Sequence, residues 1–146
     1  MSADHVTTAP GRDLVDVRGP RFAAALTSAV LAAVLVTGNP WPLAAQAAVF
    51  AAGAADPRWS PYGWLFRVAV RPRLGPAREF EDVRPPRFAQ AVGLAFAAVG
   101  LVGYAAGPQW LGVAATGLAL AAAFLNAAFG YCLGCEMHLA LRRAAG

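Results

Sequence analysis

Two long stretches of this chain carry no charge at all, Phe22 to Ala55 and Phe88 to Cys135. Each is interrupted once near its middle, by Gly38-Asn39-Pro40 and by Gly107-Pro108. Such clusters favour a turn over a continuing helix. The pattern therefore predicts two helical hairpins, with helices near 21–37, 41–56, 87–106 and 109–130. A hydrocarbon core of about 30 Å asks for around 20 residues per crossing helix. The second hairpin meets that length, while the first is short and relies on snorkelling by Arg21 and Arg58.

Between the hairpins, residues 56–87 hold seven arginines, four acids and prolines at 57, 61, 72, 76, 85 and 86. Within this polar connector Ser60-Pro61 has the form of a helix start, serine as N-cap and proline in the first turn. The following run, Tyr62 to Arg71, mixes aromatics with arginines and reads as a short helix lying in a membrane interface. Residues 1–19 read as a polar, disordered tail. The organisation expected is a tail over 1–19, a first hairpin with its interfacial helix over 20–75, and a second hairpin with a C-terminal segment over 76–146.

Composition supports lipid as the solvent. Hydrophobic residues make up 58 % of the chain and charged residues 14 %, against roughly 25 % charged in soluble domains. All the basic charge is arginine: three up to Arg21, seven in the connector, two at the end, and none at either turn. Positive residues stay on the cytoplasmic side. The expectation is a multi-pass protein of the cytoplasmic (inner) membrane, with both termini and the connector inside. Trp41, Trp110, Trp59 and Trp64 fall at the expected ends of helices, where amphipathic rings favour the headgroup level. The arginines flank apolar runs and form no basic groove, so no nucleic acid partner is expected.

The chain repeats itself. Asp16-Val17-Arg18-Gly19-Pro20-Arg21-Phe22-Ala23 recurs as Asp82-Val83-Arg84-Pro85-Pro86-Arg87-Phe88-Ala89, with seven of eight positions identical at an offset of 66. Tyr62-Gly63-Trp64 is echoed by Phe129-Gly130-Tyr131 at an offset of 67. The fold class predicted is an all-α membrane protein. Its four transmembrane helices form two tandem parallel two-helix repeats, each followed by a short interfacial helix. Arg21 and Arg87 head the two copies; they either anchor at headgroups or hold an anion at an inner mouth.

Cys132 and Cys135 are the only cysteines. Three residues apart on a helix they lie about 60° apart and can meet or share a ligand. A helix unbroken through Gly130 would bury them under an apolar shell. A break there puts Cys132 near a helix N-terminus, where unpaired N–H groups favour a thiolate, and the Tyr62-Gly63-Trp64 echo favours the break. A weaker reading makes Cys132, Cys135 and His138 metal ligands, with Glu136 beside them. Among polar residues inside the apolar runs, Gln46, Gln90 and Asn126 are candidates for interhelical hydrogen bonds; Gln90 and Asn126 are also candidates for binding. No Ser/His/acid set or glycine-rich phosphate loop is present, and no cofactor is expected.

The segments Glu81 to Gln90 and Phe124 to Glu136 resemble the bacterial membrane family called domain of unknown function 4395. The most specific part is the Asn-x-x-Phe-Gly-x-Cys-x-Gly-Cys element ending at Cys135. The likeness extends from about Asp16 to Arg143. Members tend to be encoded near thioredoxin-like and sulfurtransferase-like proteins, so the resemblance implies thiol or sulfur chemistry with such a partner. The leading expectation is a membrane thiol-redox or sulfur-relay component with Cys132 and Cys135 as the reacting pair. A transporter or channel for a sulfur-containing anion, a non-catalytic scaffold and a homo-oligomer remain alternatives.

Overall fold

The computed structural model describes residues 6–9, 12–76 and 80–145. The chain is helical over most of its length. Helix α1 (Arg18–Thr37) turns at Gly38 into α2 (Trp41–Ala55). Gly38 takes a positive φ of 70°, the left-handed conformation that ends helices at little cost to glycine. The Asn39 side chain then accepts a hydrogen bond from the Trp41 N–H at 3.0 Å. The second hairpin is α5 (Arg84–Ala106) and α6 (Gln109–Phe129), joined at Gly107-Pro108. Helices α1, α5 and α6 are long and apolar enough to cross a membrane; α2, with 15 residues, is the shorter one.

The connector contains a continuous helical run over residues 61–74. The run comprises α3 (Pro61–Leu65), a π-helical turn (Phe66–Val70) and α4 (Arg71–Leu74). Ser60 caps its start by accepting from the Gly63 N–H at 3.1 Å. Pro72 explains the widened turn: its ring would clash with the carbonyl four residues back in a regular helix, and the extra residue per turn relieves that crowding. Phe66 is fully buried, with its ring 5.8 Å from that of Phe22. The run is thereby pinned beneath α1. Trp41, Trp59, Trp64 and Trp110 are all exposed.

The helices pair mainly across the hairpins. The most extensive packing joins α1 to α6, α5 to α6 and α2 to α5, whereas α1 and α2 touch far less. Leu31, Val34, Leu43, Phe50 and Ala97 form the buried centre. Within it, Gln46 is completely buried and donates to the Thr27 hydroxyl at 3.2 Å, while accepting from the Tyr62 hydroxyl at 2.7 Å. Gln46 therefore ties α2 to α1 and to α3. Burial pushes the Tyr62 hydroxyl above its usual range. Outside this centre the long helices turn apolar side chains outward, among them Val99, Val102, Val113, Leu118 and Phe124.

The tail departs from the sequence expectation. Part of it forms strands β1 (Val6–Ala9) and β2 (Arg12–Asp16), and β3 (Phe80–Asp82) completes an antiparallel sheet in the order β1-β2-β3. Register places Leu14 opposite Asp82 and Asp16 opposite Phe80. The sheet thus joins the lead-ins of the two hairpins. A strand whose partner lies this far along the chain leaves little local signal.

Asp16 is fully buried at this junction. It accepts from the Arg18 backbone N–H at 3.0 Å and from its guanidinium at 2.9–3.3 Å, and Arg18 also donates to the Gly75 carbonyl. Burial alone would raise the Asp16 carboxyl. The hydrogen bonds from Arg18 and the charges of Arg18 and Arg71 outweigh it and hold the group below its ordinary 3.8. A depressed folded value stabilises the fold above the ordinary value, and that contribution is lost as pH falls through the depressed one. Asp16→Asn should cost about 1–3 kcal/mol at neutral pH and flatten the acid limb of the stability profile. Thermal unfolding in detergent between neutral and strongly acid pH checks this; two parallel profiles would refute it.

Candidate functional site

Helix α6 ends at Gly130, whose positive φ of 71° closes a left-handed cap on the carbonyls of Leu125 and Asn126. The chain reverses there and α7 (Leu133–Ala145) starts. Cys132 is the capping residue of α7. Its carbonyl accepts the Glu136 N–H at 3.0 Å, and its Sγ accepts the Cys135 N–H at 3.1 Å. This is the position usually held by serine or aspartate, here filled by sulfur. Cys132 and Cys135 are joined by a disulfide, with Cα atoms 5.2 Å apart and both residues half-buried.

Helix α7 docks along α5. Contact is close at Gly134, where an added Cβ would lie 2.5 Å from the Ala89 Cβ. The His138 ring lies 5.5 Å from that of Phe88, with its Nε2 enclosed and unpartnered. With its ring against Phe88 and the sulfurs bonded to each other, the metal reading finds no support. Among the described residues no three His, Cys, Asp or Glu side chains converge.

Beneath α7 lies a cavity of about 540 Å³ between α1, α5 and α6, with Phe50 of α2 at its side. Cys132, Cys135, Arg21, Gln90 and Asn126 all line it. These five residues come from four helices and span more than a hundred positions of sequence. Exposed Leu118 and Met137 also contribute to the wall, so the cavity opens to the surface. The remaining lining is largely alanine, glycine, phenylalanine and leucine.

Arg87 does not line this cavity. It borders a separate one of about 60 Å³ with Val83, Pro86, Gln90 and Gly63. At the offset of 66, Val83, Pro86 and Arg87 correspond to Val17, Pro20 and Arg21 of the larger cavity, and Gln90 corresponds to Ala24. Gln90 fills the space where alanine leaves room, with its side chain laid over Gly53.

The two arginines have matching tasks. Arg21 donates to the carbonyls of Ala127 and Ala128 at 3.2 and 3.4 Å, at the end of α6. Arg87 donates to Ala54 and Ala55 at 2.8–3.1 Å, at the end of α2. Each thus satisfies the last carbonyls of the other hairpin, where a cation also meets the negative end of the helix dipole. These bonds give both arginines the headgroup-side anchoring task that the sequence also offered. The aspartates of the lead-ins are paired as well, Asp16 with Arg18 and Asp82 with Arg84.

A family model of the Domain of unknown function (DUF4395) matches residues 15–143. The chain belongs to that family. No curated protein and no solved structure matches it. The matched DUF4395 region contains the disulfide, both arginines and every residue of the larger cavity. Sequence reading had no signal for the cavity's apolar wall, Phe50, Phe96, Leu118 and Ala122 among it, because single apolar residues on different helices carry no spacing that links them.

Proposed function

We propose that this DUF4395 protein is a membrane-embedded thiol–disulfide component in which Cys132 and Cys135 cycle between disulfide and dithiol. The observation that carries this reading is a half-buried disulfide at the start of a short helix, set at the mouth of a sizeable cavity. The corresponding places in the first hairpin hold Leu65 and Val68, and the matching cavity is nearly closed. The thiols and the space occur together in one half only. In the same reading the chain is two tandem hairpin repeats. Outward apolar side chains, exposed tryptophans at helix ends and arginine-free turns support four crossings with both termini on the cytoplasmic side.

The exchange balances without an added group. A soluble partner's thiolate attacks Cys132 Sγ, forming a mixed disulfide and releasing Cys135 as thiolate. The partner's second thiol then displaces Cys132, which leaves as thiol with the proton it needs; the partner is oxidised and the pair reduced. The helix start favours negative charge on Cys132, making it the better leaving group.

In the reverse direction of the same exchange, the lone Cys132 thiolate of a Cys135→Ser chain attacks an oxidised partner's disulfide, and the mixed disulfide persists because Cys135 is not there to resolve it. In intact cells this variant should hold a cytosolic thioredoxin-like protein in a covalent adduct that reducing agent releases, identified by mass spectrometry. Cys132→Ser should hold none. A persulfide on Cys132 in the same spectra would assign the sulfur-relay form, and the absence of both species would refute the proposal.

A further inference from the structure

The cavity has a polar end and an apolar end. Cys132, Arg21 and Asn126 sit at the α7 end; along α6 the wall then runs from Asn126 to Leu118, eight residues or about 12 Å. Away from the sulfurs the wall is formed by Phe50 and Phe96 inside and by Leu118 at the open side. Its shape and chemistry suit an amphiphile with a small polar head beside the sulfurs.

The charge pattern narrows the ligand further. Among the described residues Arg21 is the one charged residue of the lining, and one of its nitrogens, Nη2, donates to two carbonyls. The rest of the described lining carries no charge and is largely apolar, which suits an occupant whose bulk is neutral. Among the described residues, the Gln90 and Asn126 side-chain amides have no hydrogen-bond partner, so both can donate to a neutral carbonyl oxygen. Thr27, deeper in the wall, is already bonded to Gln46.

The chemistry of the disulfide supplies the remaining constraint. With two cysteines in the chain, no second pair can carry electrons onward. Once a partner has reduced Cys132 and Cys135, an external acceptor must restore the disulfide, and the enclosed side of the pair faces this apolar slot.

We infer that the cavity binds a lipid-borne quinone, which reoxidises the pair. In the step, the two thiols lose two electrons and two protons and the Cys132–Cys135 bond forms. The quinone takes both electrons and both protons on its two carbonyl oxygens and leaves as hydroquinone. This inference rests on the thiol–disulfide reading and names the acceptor for that same site.

The test uses the full chain, reduced and reconstituted anaerobically in phospholipid nanodiscs, mixed with decylubiquinone. One hydroquinone should form per protein, in step with disulfide formation. Ala122→Trp, which fills the slot, should slow this by at least about tenfold, with thermal unfolding in the same nanodiscs matching wild type to show that the variant is folded. An azido-quinone should label peptides of α5 and α6 in wild type and equally in the Cys132→Ser/Cys135→Ser double variant, since binding needs no thiol. Equal rates in wild type and Ala122→Trp would overturn the inference. No hydroquinone, with Cys135→Ser still trapping a partner, would overturn the quinone assignment and leave the exchange reading standing. Failure of both measurements would overturn both.

Discussion

Gly103→Leu should unfold or misassemble the protein more severely than any other single change at a glycine of α5. A Cβ at Gly103 would collide with the Gly112 backbone nitrogen and lie 2.9 Å from its Cα, and backbone cannot swing aside as a flexible side chain can. Gly112 is equally committed, since a Cβ there would press within 2.8 Å of the Tyr104 ring. The two helices approach at glycine on both sides, so leucine forces them apart along their length. The neighbouring contacts of Gly100 with Leu43 and Thr116 would loosen too. Overpacking of an ordinary core site costs typically 1–3 kcal/mol, and a backbone collision belongs at about 3 kcal/mol or beyond. Gly117→Ala is the matched control. It lies in α6 with nothing within 4 Å of an added Cβ, and alanine there should be neutral or stabilise by up to about 1 kcal/mol. Thermal unfolding and size-exclusion profiles in one detergent decide the matter; a Gly103→Leu protein as stable as wild type would refute the described α5–α6 contact.

The second large effect is expected at Gly134→Val, and it separates function from global stability. An added Cβ would meet the Ala89 Cβ at 2.5 Å and its Cα at 2.6 Å. Helix α7 rests on α5, and its remaining anchors include the Phe88–His138 contact. Valine should therefore push α7 off α5 at a cost of about 2–3 kcal/mol, with α1, α2, α5 and α6 still packed on one another. Released from the mouth of the cavity, the disulfide should be reduced by a soluble phosphine about tenfold faster, since access is a main control on attack at sulfur. Amide hydrogen exchange should rise in α7 and stay unchanged in α1 and α6. Uniform acceleration along the chain, or an unchanged rate of reduction, would contradict this placement of α7.

These two glycines show what spacing could and could not convey. Gly134 stood out in the sequence because it separates the cysteines of a specific element, yet its physical reason, the approach to Ala89, lies 45 residues away. Gly103 looked like any small residue of an apolar helix. Arg21 and Arg87 were legible as a matched pair from the repeated octapeptide. Their partners, the last carbonyls of the opposite hairpin, were not, because backbone oxygens carry no residue signature. Gln90 was grouped with Asn126 for its polarity; the fold adds that it fills the small cavity while bordering the large one. The paired strands of residues 6–9 and 12–16 were missed for a related reason. Residues 12–16 pair with Phe80–Asp82, far along the chain, and residues 6–9 pair in turn with 12–16.

The sequence by itself determined where helices begin, turn and end, since charge-free runs, Gly-Pro breaks, a serine cap and a left-handed glycine act within a few residues of where they stand. It also singled out Cys132 and Cys135 as the candidates for chemistry and favoured a break just before them at Gly130, which the structure has. Only the tertiary structure decided that the hairpins interleave, α1 against α6 and α2 against α5, and so which arginine caps which helix. That pairing also opens 540 Å³ beside the disulfide and leaves about 60 Å³ at its counterpart. The physical reason is that a cavity is a property of surfaces that meet. No local stretch contains the alanine and the glutamine whose difference in size leaves one space open and fills the other.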